Sequence, residues 1–192
     1  VDGNLCFSLL KLLDCFLEPF AEKELRVIDD DRVKALPQLI EPWFIFSLVW
    51  SVGATCDTNG RELFNIWLRD KMKEETAALP FPAEGLVYDY RMVDDGSRKE
   101  LTEDDEPPED TSVIISWVRW TEGVLPPEID LKQSYSSIFI QTLDTLRTDY
   151  VLTKLLTNQK QVVVIGPTGT GKSLNVKQKL LTGMPKKFMS AF

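Results

Sequence analysis

The sequence predicts a mixed α/β fold in three parts: an N-terminal α-helical bundle, a β-hairpin-like insert, and the start of an αβα core. Apolar residues recur at helical spacing in the first part, at Leu5, Leu9, Leu12, Leu13, Phe16 and Leu17. Strand-forming residues cluster in two later runs, separated by a polar stretch. Near the end, the β-branched run 162–165 stands directly before a glycine-rich segment, which favours a buried parallel strand followed by a turn.

The helical bundle is predicted over residues 1–80. Its first helix is expected to end where Pro19 interrupts the apolar pattern. A second helix follows, with Pro42 in its first turn and Gly53 at its end. Asn59 is a possible cap for a third helix, which ends before Pro80. We expect the Trp and Phe side chains here to form a core and not a ligand site.

Residues 81–136 are predicted to form a hairpin, an acidic loop and a connector. One strand is indicated by Val87, Tyr88, Tyr90 and Val93, and the other by Val113, Ile114, Ile115, Trp117, Val118 and Trp120. The acidic tract 103–110 lacks the D-x-D-x-D-G order of a calcium loop and contains two prolines, so a solvated loop is favoured.

Residues 137–192 begin with a short extended piece at 137–141 and then a helix over about 144–156. Thr142 or Asp144 is a suitable cap for this helix, and Asn158 is a plausible stop. The strand 162–165 and the glycine-rich segment follow. This order predicts the beginning of an α/β nucleotide-binding core.

The glycine-rich segment fits G-x-x-x-x-G-K-[ST] at every fixed position: Gly166, Pro167, Thr168, Gly169, Thr170, Gly171, Lys172 and Ser173. Glycines allow the backbone to curl so that successive N–H groups converge on one anion. Leu174 opens a helix whose N-terminus would face the same phosphates. In this motif the lysine reaches the β- and γ-phosphates and the serine hydroxyl binds Mg²⁺.

Composition excludes several functions. A net charge of −8 argues against nucleic-acid binding, and the absence of histidine removes imidazole catalysis and histidine-ligated metals. Cys6, Cys15 and Cys56 are odd in number and lack C-x-x-C spacing, which favours reduced, buried thiols in an intracellular protein. The most apolar stretch, 43–54, is shorter than the roughly 20 residues that cross a bilayer, so no membrane contact is expected.

Hydrolysis requires groups that this sequence does not place near the loop. From Leu174 to Phe192 there is no Asp, Glu or Arg to hold the Mg²⁺ shell or stabilise the transition state. We therefore expect no catalytic residue within the chain and no ATPase activity from it alone. Because it also begins at Val1 and not at Met, we expect a fragment of a longer protein.

Two stretches resemble a known family. "GPTGTGKS" with the upstream "IFIQTLDTLRTDYVLTKLL" resembles the start of the third AAA+ module of a dynein heavy chain of the axonemal class. "EPWFIFSLVWSVGATCDTNGRELFNIWLRD" resembles the helical small subdomain that closes the second module. The resemblance covers nearly the whole chain and implies an AAA+ P-loop NTPase fragment that spans a junction between modules.

The resemblance also implies a set of ligands and partners. ATP or ADP with Mg²⁺ would bind at Gly166–Ser173 and Leu174, and the adenine would lie near Ile140, Thr142 and Leu143. The partners would be neighbouring AAA+ modules and, through the parent protein, microtubules and dynein intermediate and light chains, in the cytoskeleton of a ciliary axoneme. The third site would be regulatory.

Two alternatives remain open from the residues. The chain could be a piece of another P-loop NTPase or of a small-molecule kinase. It could also be a non-catalytic scaffold whose phosphate loop is vestigial. An acidic strand within about 60 residues after Phe192 would favour the dynein interpretation, whereas an arginine-rich lid would favour a kinase.

Overall fold

The computed structural model describes residues 2–21, 30–94, 115–122, 142–182 and 184. The chain divides into two compact units, Val1–Arg119 and Trp120–Phe192. The first holds helices α1 (Asp2–Ala21), α2 (Asp30–Ser51) and α3 (Thr58–Glu74) and strands β1 (Tyr90–Asp94) and β2 (Ile115–Arg119); the second holds α4 (Leu143–Thr157) and α5 (Lys172–Thr182). The described residues thus combine helices with a small two-stranded sheet, as a mixed α/β fragment requires.

The core of the first unit lies between α1 and α2. Phe16 stacks on Trp43 with ring centroids 5.8 Å apart and meets Phe46 edge-on at 5.7 Å. Leu39 and Val49 are buried on the same side of α2. Aromatic pairs of this kind contribute about 0.5–1.5 kcal/mol each beyond the burial of their area. The expectation of an aromatic core is therefore confirmed for Phe16, Trp43 and Phe46, whereas Phe7, Phe44 and Trp67 are 64%, 43% and 49% exposed.

Both proline-based helix limits were wrong. Helix α1 continues past Pro19 to Ala21, and α2 begins at Asp30, so Pro42 lies inside the helix and not in its first turn. A proline inside a helix removes one backbone hydrogen bond and strains the preceding turn. The burial of Trp43 and Phe46 next to it offsets that cost.

The apolar character of α2 also satisfies a membrane criterion. By length and composition alone, the segment Ala35–Thr55 is long and apolar enough to cross a bilayer. The stretch 43–54, which is too short on its own, is only part of it. Leu39, Trp43 and Phe46 are 0–1% exposed within the folded unit. Packing within the unit accounts for these buried apolar side chains, whereas Ile40 and Phe44 of the same helix are 44% and 43% exposed.

Helix α3 begins at a different cap from the one expected. The Asp57 carboxylate accepts a hydrogen bond from the Gly60 N–H at 2.8 Å, whereas Asn59 lies within the first turn. An N-cap must have extended backbone and a side-chain oxygen that reaches the third helical N–H, and Asp57 meets both conditions. At the other end, Thr76 has a left-handed φ of 54°, and the Ala77 N–H donates to the Met72 carbonyl.

Gly53 is needed for close packing and not as a helix terminator. Helix α2 ends at Ser51, and Gly53 starts a short 3₁₀ turn. The Tyr88 hydroxyl donates to the Gly53 carbonyl at 2.8 Å, and a Cβ at Gly53 would lie 2.8 Å from both that hydroxyl and a ring carbon of Phe64. A side chain at this position would push the tyrosine away.

The hairpin belongs to the first unit. Strands β1 and β2 pair antiparallel, with Met92 opposite Trp117. Phe81 stacks on Trp117 with centroids 4.1 Å apart, and the Trp117 indole donates to the Leu79 carbonyl at 3.0 Å. Val87 and Tyr88 form a 3₁₀ turn before β1 and not part of the strand. Val113, Ile114, the acidic tract 103–110 and the connector 123–136 lie outside the described residues.

Arg69 of α3 holds the segment that leads to the hairpin. Its guanidinium donates to the carbonyls of Pro82 at 2.8 Å and Gly85 at 3.0 Å. The Asn65 amide oxygen accepts from Arg69 at 3.0 Å and from the Val87 N–H at 3.0 Å. Arg69 and Asn65 of α3 thereby fix the position of segment 82–87 through hydrogen bonds to its backbone.

The second unit confirms the predicted cap of α4. The Thr142 hydroxyl accepts from the Thr145 N–H at 3.3 Å, and Asn158 is the C-cap. Lys179 of α5 donates to the Asp149 carboxylate of α4 at 3.1 Å. Trp120 packs edge-on against Tyr150 with centroids 5.4 Å apart. The Lys179–Asp149 pair joins α5 to the helix that precedes the loop.

The predicted strand at 162–165 is not formed in the structure. These residues have no regular secondary structure, and Val163 and Ile165 are 82% and 89% exposed. A parallel strand needs partners for its backbone groups and cover for both faces. The described residues of the second unit include no strand, so the run 162–165 has the composition of a strand without its hydrogen-bonded pairing.

The three cysteines form no disulfide, but they are not all buried. Cys15 is buried in the α1–α2 core, Cys56 is partly buried, and Cys6 is exposed. Cys6 lies on the outer side of α1, where no neighbouring helix covers it among the described residues. The expectation of buried thiols was therefore wrong for Cys6.

Candidate nucleotide-binding site

The glycine-rich loop has the backbone that anion binding requires. Gly169 and Gly171 adopt left-handed φ values of 83° and 74°, and a Cβ at either would meet nothing within 4 Å. A side chain would have room at these positions, so it is the left-handed backbone conformation that favours glycine. Gly166 is not left-handed, and a Cβ there would make only ordinary contacts with Lys172 and Thr170. Two of the three glycines supply the curl that the sequence predicted.

Helix α5 begins directly after this curl. The Asn175 N–H donates to the Gly171 carbonyl at 2.9 Å, which makes Gly171 the N-cap. The N–H groups of Gly171, Lys172, Ser173 and Leu174 then have no carbonyl partner within the helix. They carry the partial positive charge of the helix N-terminus, and this arrangement suits a phosphate.

The side chain of Lys172 folds back over the loop. Its ammonium donates to the Pro167 carbonyl and to the Thr170 hydroxyl, the latter at 3.2 Å. The Thr170 hydroxyl in turn donates to the Pro167 carbonyl at 3.0 Å. The positive charge therefore lies over the same loop that leads into the helix start, and both the ammonium and the helix N-terminus favour an anion.

The other residues predicted for the site lie at the starts of two helices, α5 and α4. Ser173 and Leu174 occupy the first turn of α5 and are exposed. Thr142 and Leu143 lie at the N-terminus of α4, also exposed. Ile140 and the extended piece 137–141 lie outside the described residues. The structure thus describes the phosphate side of the site, and its geometry does not test the adenine side.

The residues present fit a nucleotide phosphate and supply one ligand for a magnesium ion. The exposed Ser173 hydroxyl is the side-chain oxygen nearest the helix start in sequence, and a hydroxyl is a normal ligand for Mg²⁺ in phosphate loops. Mg²⁺ prefers octahedral coordination by oxygen and commonly completes it with water, phosphate and a carboxylate. The sequence between Leu174 and Phe192 contains no carboxylate.

Sequence reasoning missed two side chains around the loop. Thr170 was included only as a variable position of the motif, yet its hydroxyl contacts both Pro167 and Lys172. A hydroxyl three residues after a carbonyl commonly closes a turn, so a signal was present. Lys179 is 7% exposed and pairs with Asp149. The long separation of these two residues in sequence left no pattern from which to predict that pair.

Comparison with known proteins agrees with both halves of this description. The family described as "Dynein heavy chain AAA lid domain" matches residues 1–102, and "P-loop containing dynein motor region" matches residues 127–192. Over all 192 residues the chain is 50% identical to "Dynein axonemal heavy chain 1" of Mus musculus, and over 190 residues, 98% of the chain, it is 46% identical to the Homo sapiens protein of that name. It is 34% identical over 155 residues, 74% of the chain, to "Dynein axonemal heavy chain 12" of Mus musculus.

The matched region is a small part of each relative. The chain spans only 4% of the length of each of these three proteins. A lid-domain match over more than half of the chain, followed by a P-loop match that contains the loop described above, confirms the resemblance stated from the sequence. The P-loop match contains the glycine-rich segment Gly166–Ser173. The chain belongs to the dynein heavy chain family.

Proposed function

We propose that this chain forms the junction between two consecutive AAA+ modules of an axonemal dynein heavy chain. Residues 1–80 are then the helical lid of the second module, 81–136 a hairpin and connector, and 137–192 the start of the third module. The proposal is supported by the order of the two family matches, lid first and P-loop second, within one short chain. The helical first unit and the loop-bearing second unit follow the same order.

The single observation that carries the nucleotide function is the loop that leads into α5. Two left-handed glycines turn its backbone, and the Lys172 ammonium folds back onto the same loop, at the Pro167 carbonyl and the Thr170 hydroxyl. We propose that ATP or ADP binds there through its phosphates, with Ser173 as a ligand of the accompanying Mg²⁺ and the Leu174 N–H as a further donor. The base would lie towards Ile140, Thr142 and Leu143.

The loop is proposed to bind nucleotide without hydrolysing it unaided. Phosphoryl transfer needs a carboxylate for the metal shell, a residue that positions water and often an arginine. No Asp, Glu or Arg occurs between Leu174 and Phe192. In the parent motor the site would be regulatory, and the partners would be neighbouring modules, microtubules and intermediate and light chains in the ciliary axoneme, without nucleic acid or membrane.

The test is nucleotide binding by the chain and two lysine variants. Lys172→Ala removes the charge beside the helix start, and Lys177→Ala removes the same charge from an exposed position farther along α5. A charge-assisted hydrogen bond contributes about 1.5–3 kcal/mol, so Lys172→Ala is expected to weaken ATP binding about 10- to 100-fold. Lys177→Ala is expected to change it less than about twofold.

Titration of a fluorescent ATP analogue measures these affinities, and phosphate release measures hydrolysis. Equal losses for the two variants would show that general charge and not the loop holds the nucleotide. No binding by the unaltered chain would favour the vestigial scaffold. Steady hydrolysis that Lys172→Ala abolishes would contradict the proposed lack of activity.

A further inference from the structure

The side chain of Thr170 occupies a specific place in the loop. Its hydroxyl donates to the Pro167 carbonyl at 3.0 Å and accepts from the Lys172 ammonium at 3.2 Å. Lys172 also donates to the same Pro167 carbonyl. Three polar groups thus form a closed triangle across the turn, and Gly166 lies beside it without a side chain.

The donors and acceptors of this triangle leave capacity for a ligand. The Thr170 hydroxyl has one O–H donor, which it uses in the hydrogen bond to the Pro167 carbonyl. One of its lone pairs accepts the hydrogen bond from the Lys172 ammonium. An ammonium has three N–H donors, and the loop uses two of them. One N–H of Lys172 therefore remains for a phosphate oxygen while both loop contacts persist.

Lysine has a long, flexible side chain that is costly to order. A lysine loses much of its rotamer freedom when its ammonium is fixed, and this loss opposes binding if it occurs only when the ligand arrives. A contact that fixes the ammonium beforehand reduces that opposition. Thr170 provides such a contact through a hydroxyl that is itself oriented by Pro167.

We propose that Thr170 is a positioning residue: its hydroxyl holds the Lys172 ammonium over the loop before nucleotide binds. The inference rests in part on the proposed nucleotide function, since it deepens the role of the same site. Its first consequence, an ordered lysine, concerns the chain without nucleotide. Its second consequence, tighter binding, concerns the nucleotide complex.

The variants are Thr170→Val, which keeps the shape and removes the hydroxyl, and Thr170→Ser, which keeps the hydroxyl. The first measurement is the rate at which an amine-acylating reagent modifies Lys172, relative to exposed Lys177 on the same helix, determined by mass spectrometry. An ammonium tied to two acceptors is expected to react more slowly than one in water. Thr170→Val is expected to raise the Lys172 to Lys177 ratio about two- to tenfold, the range for one net hydrogen bond, and Thr170→Ser to leave it near the original value.

The second measurement is affinity for the fluorescent ATP analogue. Thr170→Val is expected to weaken binding about two- to tenfold, and Thr170→Ser to restore it. In a Lys172→Ala background, Thr170→Val is expected to have little further effect, because the threonine acts through the lysine.

The outcomes separate the two proposals. If the acylation ratio is the same in Thr170→Val and in the unaltered chain, the positioning role is overturned whether or not nucleotide binds. If the ratio rises but the unaltered chain binds no nucleotide, the contact stands and the proposed function fails. A general loss of structure in Thr170→Val would raise Lys177 labelling as well and lower helical content, whereas the proposal predicts neither change.

Discussion

At the scale of single residues, backbone conformation distinguishes required glycines from tolerated side chains. Gly169 and Gly171 are left-handed in open space, where only conformation selects the residue. Thr76 and Gln159 have nearly the same conformation, with φ values of 54° and 55°, and both follow helix C-caps. A β-branched residue in this region is unusual. Thr76 is therefore strained, and the C-terminus of α3 and the following segment hold it in this conformation.

Replacing Thr76 by glycine is expected to stabilise the first unit. The left-handed region costs an L-residue about 1–2 kcal/mol, and the greater freedom of glycine in the unfolded chain offsets about 0.5–1 kcal/mol of that gain. We expect a net increase of about 0.5–1 kcal/mol in the free energy of unfolding, measured by urea denaturation. Thr76→Ala keeps the Cβ and serves as the control. If glycine and alanine give the same stability, the strain is absent.

The Tyr88 phenol makes the stability of the fold depend on pH in the alkaline range. Its pKa is raised from 10.0 to about 12, chiefly by burial and to a smaller extent by Cys56, while the Arg61 guanidinium acts in the opposite direction. Because the folded state holds the proton more tightly, stability from the neutral phenol is fully present below pH 10 and is lost as the pH rises towards 12. The hydroxyl that donates to Gly53 is the group that loses its proton.

The measurement is the difference in unfolding free energy between the unaltered chain and Tyr88→Phe from pH 9 to pH 12. We expect this difference to fall steadily above pH 10, since phenylalanine has no proton to lose. Taking a difference removes the contribution of other titrating groups. A difference that is constant across this range would contradict the buried, hydrogen-bonded phenol.

At the scale of elements, local signals in the sequence predicted more than non-local ones. Thr142 was one of two caps predicted for α4, with Asp144 as the other, because a side-chain oxygen before a helical pattern satisfies an N–H of the first turn, and the structure has Thr142 in that role. Asp57 caps α3 in place of Asn59, which is a small error of position within one correct element. Pro42 misled the prediction because packing of Trp43 and Phe46 overrides a local preference.

Long-range pairing explains the remaining difference at this scale. The run 162–165 has strand composition, but a strand forms only where another strand supplies hydrogen bonds. The curl of the phosphate loop was predictable because it depends on neighbouring residues. The Lys179–Asp149 pair was not, because it depends on how two helices meet.

Arg69 shows how one side chain can hold an element without regular hydrogen bonding. It donates to the Pro82 and Gly85 carbonyls through the two arms of a planar fork, and to Asn65 through its ε-nitrogen. Lysine keeps the charge but cannot reproduce this fork. We expect Arg69→Lys to lower the free energy of unfolding by about 1–2 kcal/mol.

The control for this substitution is Lys73→Ala on the same helix. Lys73 is exposed and its nearest carboxylate, that of Asp70, is 3.9 Å away, so its loss is expected to change stability by less than about 0.5 kcal/mol. Hydrogen exchange of residues 81–87 adds a local readout, and it is expected to accelerate in Arg69→Lys alone. Unchanged exchange in that segment would show that the fork does not hold it.

At the scale of the whole molecule, the chain combines two units and spans 4% of the length of the Mus musculus and Homo sapiens dynein heavy chains named above. One unit supplies buried helical packing and a hairpin. The other presents a phosphate loop at the start of α5. If the loop is the regulatory site proposed above, its occupancy can affect distant chemistry only through a free energy of coupling between modules.

Lys172→Ala in the full-length heavy chain is therefore expected to slow movement without abolishing hydrolysis. The substitution removes the charge that lies over the loop, so nucleotide occupancy of this site falls. Coupling between sites is typically about 1–3 kcal/mol, or about 5- to 150-fold, which reduces the turnover of another module but leaves that module's own catalytic groups intact. Microtubule gliding velocity and ATPase rate are the measurements, with Lys177→Ala as the matched loss of charge. Unchanged values for Lys172→Ala would indicate a structural role for the loop, and complete loss of basal hydrolysis would indicate that this loop belongs to the main catalytic site.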